Sequence, residues 1–136
     1  MPQIFDPVRK KNVERTPEEE VRQGVISNLM GFMEVPATHI AVEHGFKFNG
    51  LQYRADIIVY DKALSPVLLV ECKAPSVKLS DSVIDQVIRY NMVLNVPYIM
   101  ITNGERTYLF RLDKATGRYG FINNIPKYSE LTAHND

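Results

Sequence analysis

Residues 54–75, RADIIVYDKALSPVLLVECKAP, hold two strongly apolar runs joined by a short polar turn. Runs rich in Val, Ile and Leu, bounded by turn residues, read as a pair of antiparallel strands. Asp56 opens the first run, and Glu71 and Lys73 close the second. In an unbulged hairpin with its turn centred on Ala63 and Leu64, Asp56 faces Glu71. Directly opposed side chains share one face of a sheet, with Cβ atoms roughly 4.5–5.5 Å apart. Side chains alternate along a strand, so Lys73 joins Glu71 on that face and Cys72 points to the other. Opposed carboxylates repel each other. Lys73 supplies one positive charge, and a hard divalent cation such as Mg²⁺ would supply more. The spacing therefore points to a metal site; a structural set of ion pairs would produce the same pattern. Cys72 reads as a small core residue rather than a nucleophile.

Upstream, residues 1–15 read as an extended arm, leaving residues 16–136 as one domain. Thr16 is a suitable N-cap and Pro17 suits the first helical position. Glu19 would complete a capping box with Thr16. In the following helix Val21, Val25, Ile26, Leu29, Phe32 and Met33 share one arc, and the helix should end before Pro36. Glu18 falls near the centre of that arc, Glu19 at its edge and Glu20 opposite. A carboxylate on a buried helix face needs a partner. Glu18 is therefore expected as a third acid of the site, directly or through water. The Asn49-Gly50 pair predicts a hairpin between strands near 39–48 and 51–60.

Downstream, Pro75 ends the third strand. Ser80 is a candidate N-cap for a helix over about 81–95 whose inward face carries Val83, Ile84, Val87, Ile88, Asn91 and Leu94. A buried strand follows at 97–102, then a hairpin from RTYLFRLD and RYGFIN. The fold class is α/β, a mixed sheet flanked by helices. The helix between the third and fourth strands makes that pairing parallel by the right-handed crossover rule.

Composition sets the outer limits. The chain of 136 residues fits one globular domain, with 45% hydrophobic and 24% charged residues. Its 16 basic residues balance 16 acidic ones, so net charge signals no nucleic acid; the Arg9-Lys10-Lys11 cluster reads first as a solvated tail. The lone cysteine excludes an internal disulfide framework, and no apolar run is long enough to span a membrane. A cytoplasmic location is the expectation. His39, His44 and His134 have no zinc-like spacing. Tyr98, Tyr108 and Phe110 read as core.

RADIIVYD followed by LLVECKAP resembles the core of the PD-(D/E)xK nuclease superfamily. More specifically, the chain resembles the N-terminal nuclease domain of type I restriction enzyme R subunits. TPEEEVRQ, RADIIVYD, VECKAP, DQVIRYN and ITNG occur in the expected order. DQVIRYN carries a Q-x-x-x-Y element, Gln86 and Tyr90, similar to that of RecB-like nucleases. The resemblance implies a restriction-endonuclease-like fold and hydrolysis of DNA. It also implies that Asp56 and Glu71 bind Mg²⁺ (or Mn²⁺), together with the backbone carbonyl of Cys72, and that Lys73 is the catalytic lysine. Glu18 matches the acid of the first helix, and Gln86 and Tyr90 the accessory pair. Arg54, Lys78 and Arg89 are candidate phosphate contacts, with plain surface charge as the alternative. Ala55 stands where a strict motif has proline. The sequence contains no G-x-x-x-x-G-K-[ST] element, so motor activity is not carried over.

The expected function is thus a Mg²⁺-dependent DNA endonuclease, a restriction or repair module without an ATPase motor. Its expected partners are DNA and other restriction or repair subunits. A homodimer would suit cleavage of both strands. A non-catalytic DNA-binding or assembly subunit that keeps the fold is the alternative. A structural protein whose charges merely pair internally is a third.

Overall fold

The computed structural model describes residues 2–133. Gln3–Asp6 (β1) and Lys11–Glu14 (β2) pair antiparallel. The arm read as extended is therefore a hairpin, shaped by polar contacts rather than by an apolar face. Asp6 organises the turn, its Oδ1 accepting from the backbone N–H of Val8 at 2.8 Å and of Arg9 at 2.9 Å.

The first helix, Pro17–Met30 (α1), starts where the cap predicts, with Thr16 Oγ1 accepting from the Glu19 N–H at 3.0 Å. Its buried stripe differs from the apolar arc. Within the helix Val21, Ile26 and Leu29 of that arc are buried together with Glu19, Arg22 and Gln23; Met33 is buried just past the helix, whereas Phe32 lies beyond it and is exposed. Half of the inward stripe is polar, so counting apolar residues rotated the expected face. Glu19 does not close the capping box; its carboxylate turns to Arg9, Arg22 and Gln23.

Six strands stand side by side in chain order: Ile40–Phe48 (β3), Leu51–Tyr60 (β4), Pro66–Cys72 (β5), Tyr98–Thr102 (β6), Thr107–Asp113 (β7) and Arg118–Ile122 (β8). All neighbours are antiparallel except β5 and β6. The connection between those two carries the helix Asp81–Asn91 (α2), which agrees with the crossover rule. Ser80 caps α2, and the helix gives way to a 3₁₀ turn over Met92–Leu94, short of the expected end. Asn49 and Gly50 have φ of 50° and 78°, the left-handed pair that a two-residue type I′ hairpin requires.

The sheet is covered on both faces. On one, α1 sets Val21, Ile26 and Leu29 against Ile57, Val59, Val70, Cys72, Met100 and Leu109. On the other, Val87 of α2, with Ile84 and Ile88, packs on Ile99, Ile101 and Phe110. This mixed α/β layering is the restriction-endonuclease-like architecture. Tyr98 and Tyr108 belong to these clusters, as expected. A short helix not anticipated from the pattern, Tyr128–Leu131 (α3), packs its buried Tyr128 and Leu131 on the α1 side. No helix among the described residues is long and apolar enough to cross a membrane. His134 lies outside the described residues.

Candidate active site

The β4–β5 register decides the site. Ile57 pairs with Val70, Ile58 with Leu69 and Val59 with Leu68. Continued by one residue, it sets Asp56 beside Glu71 as expected. The premise behind that expectation needs correction. The loop is longer and centred on Ala63, with Tyr60 opposite Pro66, and a register shift between Val59 and Tyr60 skips Val67. The longer loop and the bulge offset each other. The loop is closed by Asp61, whose Oδ1 accepts from the N–H groups of Ala63 and Ser65, both at 2.9 Å.

Asp56 is held from two sides. Its Oδ2 accepts from the Cys72 backbone N–H at 2.7 Å, and its Oδ1 accepts from Arg22 Nη2 at 3.0 Å. Each carboxylate oxygen keeps a further lone pair. The Cys72 thiol faces the α1 side of the core, and burial pushes its pKa up, so it is no nucleophile.

Glu71 and Lys73 open on a cleft. Lys73 Nζ lies 3.5 Å from Glu71 Oε2, and the Lys73 backbone is fixed by its N–H donating to Thr102 O at 2.8 Å. Both line a cleft with Arg54, Val83, Gln86 and Tyr90. Gln86 and Tyr90 sit one turn apart on α2 and reach the same space. The Tyr90 ring, 48% exposed, lies 5.4 Å from that of Tyr53. Arg54 is the one candidate phosphate contact that lines this cleft. Lys78 lines a separate depression with Asn103 and Arg106, and Arg89 is exposed on α2.

Burial, then the charge of Asp56, pushes the Glu71 carboxyl up to about 7, against the opposing pull of Lys73. A buried carboxyl beside a second carboxylate is costly to ionise, and a cation that meets both offsets that cost. Glu71 keeps 27% of its side chain exposed, so a cation can approach it.

Behind Asp56 lies a network absent from the sequence reading. Arg22, only 5% exposed, donates to Glu19 Oε1 at 2.7 Å and to Asp56, and lies 3.3 Å from Glu43 and 3.4 Å from Glu18. Burial opposes its charge, but Asp56, Glu19 and Glu43 outweigh that and hold it protonated. Glu19 is held again by Arg9 Nη2 and by Gln23. Arg9 Nε in turn donates to Asp6 Oδ2 at 2.6 Å. Charges thus alternate without a break from the N-terminal hairpin to Asp56. Arg22 Nε is buried with no partner, a cost of about 1–3 kcal/mol for an unmet donor. The one available signal was spacing. Glu19, Arg22, Gln23 and Ile26 recur at three- and four-residue steps, the period of a buried helix stripe.

Glu18, expected on the buried face, is 48% exposed, and Glu19 takes the inward place. Glu18 reaches the site through Arg22. Among the described residues no three His, Cys, Asp or Glu side chains converge as a ligand set. Two carboxylates from neighbouring strands remain. That set fits Mg²⁺, which keeps several waters and is commonly held by one or two carboxylates. The donor set supports this fit: hard carboxylate oxygens on adjacent strands, with the Glu71 side chain 27% exposed to an approaching ion.

The chain matches the family model described as type I restriction enzyme R protein N terminus over residues 17–126. Among solved structures it is similar to a fragment assigned as the HsdR subunit of a type I restriction enzyme from Vibrio vulnificus YJ016. That match has 22% identity and a TM-score of 0.57 over 84% of this chain. The chain spans 24% of that fragment's length, so the likeness concerns the fold of one part of it. No curated protein matches significantly. The family match takes in α1, the β4–β5 hairpin and α2, the elements that carry the site: the chain belongs to the type I restriction enzyme R protein N-terminus family.

Proposed function

We propose that this protein is a divalent-cation-dependent deoxyribonuclease, a nuclease module of the restriction or repair type. One observation carries the reading. Asp56, tied to β5 by the Cys72 N–H, stands beside Glu71 on the neighbouring strand, and the Lys73 ammonium lies 3.5 Å from that Glu71, so two acids and one amine share one end of the sheet.

Asp56 and Glu71 would hold Mg²⁺ (or Mn²⁺) through the lone pairs that Arg22, Cys72 and Lys73 leave unused. The bound ion would polarise a phosphodiester and ease deprotonation of water. Lys73 orients the attacking water or meets the charge that develops on the pentacovalent phosphate. The water oxygen bonds to phosphorus, the P–O3′ bond breaks, and the 3′ oxygen ends protonated. The products are a 5′-phosphate and a 3′-hydroxyl. Arg54 and the cleft wall of Gln86 and Tyr90 receive the DNA backbone, so binding weakens as salt rises. Cleavage of both strands would favour a homodimer, and other restriction subunits are the expected partners.

A second reading, a non-catalytic DNA-binding or assembly subunit, draws support from Asp56 having each carboxylate oxygen engaged by a protein donor. Calorimetric titration with Mn²⁺, paired with cleavage of linear, branched and single-stranded DNA, separates the two. The nuclease reading expects saturable Mn²⁺ binding that Asp56→Asn and Glu71→Gln both abolish, and nicking in its presence. DNA binding with no Mn²⁺ uptake would favour the second reading.

A further inference from the structure

The Arg22 guanidinium lies within 3.4 Å of four carboxylates: Glu18, Glu19, Glu43 and Asp56. Glu43 is brought in by β3. Its neighbours Val42 and His44 pair with Ile57 and Ala55, which sets Glu43 across from Asp56, and its φ is 49°. The guanidinium stands between Asp56 and these other carboxylates, on the side of Asp56 that meets α1. Arg22 already occupies that side and cannot readily leave. Glu19 grips it at 2.7 Å, and Glu19 is itself pinned by Arg9 at 2.9 Å and Gln23 at 3.1 Å.

We propose that Arg22 is a built-in cation that closes the outer side of the acid cluster, so that the site takes one divalent ion, between Asp56 and Glu71, and not two. This rests on the nuclease reading. The physical argument is charge and lone pairs. A fixed positive charge beside Asp56 repels a second dication in a partly desolvated setting, where Coulomb forces are poorly screened. The planar guanidinium also takes one lone pair of Asp56 Oδ1 and leaves that oxygen for a single further bond. Arg22 is buried away from the cleft, so it acts as a positioning residue and does not touch substrate.

The test is Mn²⁺ stoichiometry, read by electron paramagnetic resonance of free Mn²⁺ and by calorimetry, on the full chain without DNA. Wild type is expected to bind one ion. Folded Arg22→Gln is expected to bind a second, or the first about tenfold more tightly, as the repelling charge is gone. It should also cleave more slowly because Asp56 is no longer oriented. Arg22→Lys keeps the charge in the same place and guards against a variant that fails to fold; it should bind one ion. Two ions on wild type or on Arg22→Lys would overturn the inference while leaving the nuclease reading intact. So would a folded Arg22→Gln that binds Mn²⁺ as wild type does. No ion bound by wild type would overturn both.

Discussion

The backbone N–H of Cys72 donates to Asp56 Oδ2 at 2.7 Å, tying the acid on β4 to the strand that carries Glu71 and Lys73. Asp56 is thereby fixed by backbone as well as by Arg22. Asp56→Asn preserves the shape but removes the charge that a cation and Arg22 both need. Cleavage is expected to fall about a thousandfold. Stability should fall by about 2 kcal/mol, because Arg22 loses one of its buried partners. Single-turnover cleavage and a urea melt measure the two effects. Cleavage at the wild-type rate would remove Asp56 from the site.

The Glu71 carboxyl, raised to about 7 in the folded chain from 4.5, would make the proposed metal binding depend on pH. A cation must displace the proton, so Mn²⁺ affinity should climb about tenfold per pH unit below 7 and level off above it. Without metal the sign for stability is opposite. A raised carboxyl favours the folded state below its unfolded value of 4.5, and that contribution is lost as pH rises through about 7. Asp6 is shifted the other way. Burial raises it, but bonds from Arg9, Gln23 and Val8 outweigh burial, and its contribution is lost only on acidification below 3.8. The window from pH 4.5 to 7 thus isolates Glu71. Glu71→Gln should flatten both curves across it; unchanged curves would refute the assignment.

The parts of the site written in period-two strands were legible, and those written in a polar helix stripe were not. Asp56, Glu71 and Lys73 follow from alternation once a hairpin is recognised, and register is enforced by the buried Ile57–Val70 and Val59–Leu68 pairs. That register survived a misjudged turn because the Val67 bulge absorbed the extra loop residue. The Asn49-Gly50 turn and the Ser80 cap were legible because each rests on a local backbone requirement. Arg22 and Glu19 were missed because burial of charge depends on partners distant in sequence: Arg9 ten residues from Glu19, and Asp56 thirty-four from Arg22. No local pattern announces such pairs. The β1–β2 hairpin was missed for the same reason, since Asp6, Arg9 and Gln23 hold it where an apolar face is lacking.

Lys73 separates charge from geometry. Lys73→Met should leave Mn²⁺ binding intact, or tighten it, since a positive charge 3.5 Å from Glu71 is removed. Cleavage should fall by about 10²–10³. Lys73→Arg keeps the charge on a larger, planar head, and should recover binding of DNA better than cleavage. Equal loss of Mn²⁺ binding and cleavage in Lys73→Met would mean that Lys73 supports the fold of the site instead.

Arg54 and Tyr90 face the cleft that Glu71 and Lys73 share, so they should act on DNA and not on metal. Arg54→Ala is expected to weaken DNA binding and lower the salt slope by about one counterion. Tyr90→Ala should raise KM for DNA. Mn²⁺ affinity should stay at the wild-type value in both. The same substitution at Lys78, which lines a different depression, is the control and should have little effect.

Glu18 and Glu19 are adjacent, and the structure gives them opposite weights. Glu19 is 6% exposed and bonded to Arg9, Arg22 and Gln23, so Glu19→Gln leaves the buried Arg22 and the partly buried Arg9 short of charge. Breaking a buried pair from one side costs about 3–5 kcal/mol. Gln keeps the shape and some hydrogen bonds, so about 3 kcal/mol is expected, a fall of about 10 °C in Tm. Glu18 is half exposed and only 3.4 Å from Arg22, an interaction that solvent screens; Glu18→Gln should cost less than about 0.5 kcal/mol. Differential scanning calorimetry of the two variants reads this contrast directly. A larger loss from Glu18→Gln would return the inward place to Glu18 and undo the alternating-charge path from the hairpin to Asp56. Metal binding by the two variants should differ as well. Glu19→Gln loosens Arg22 and should disturb Mn²⁺ affinity at Asp56 from a distance, whereas Glu18→Gln should leave it near the wild-type value.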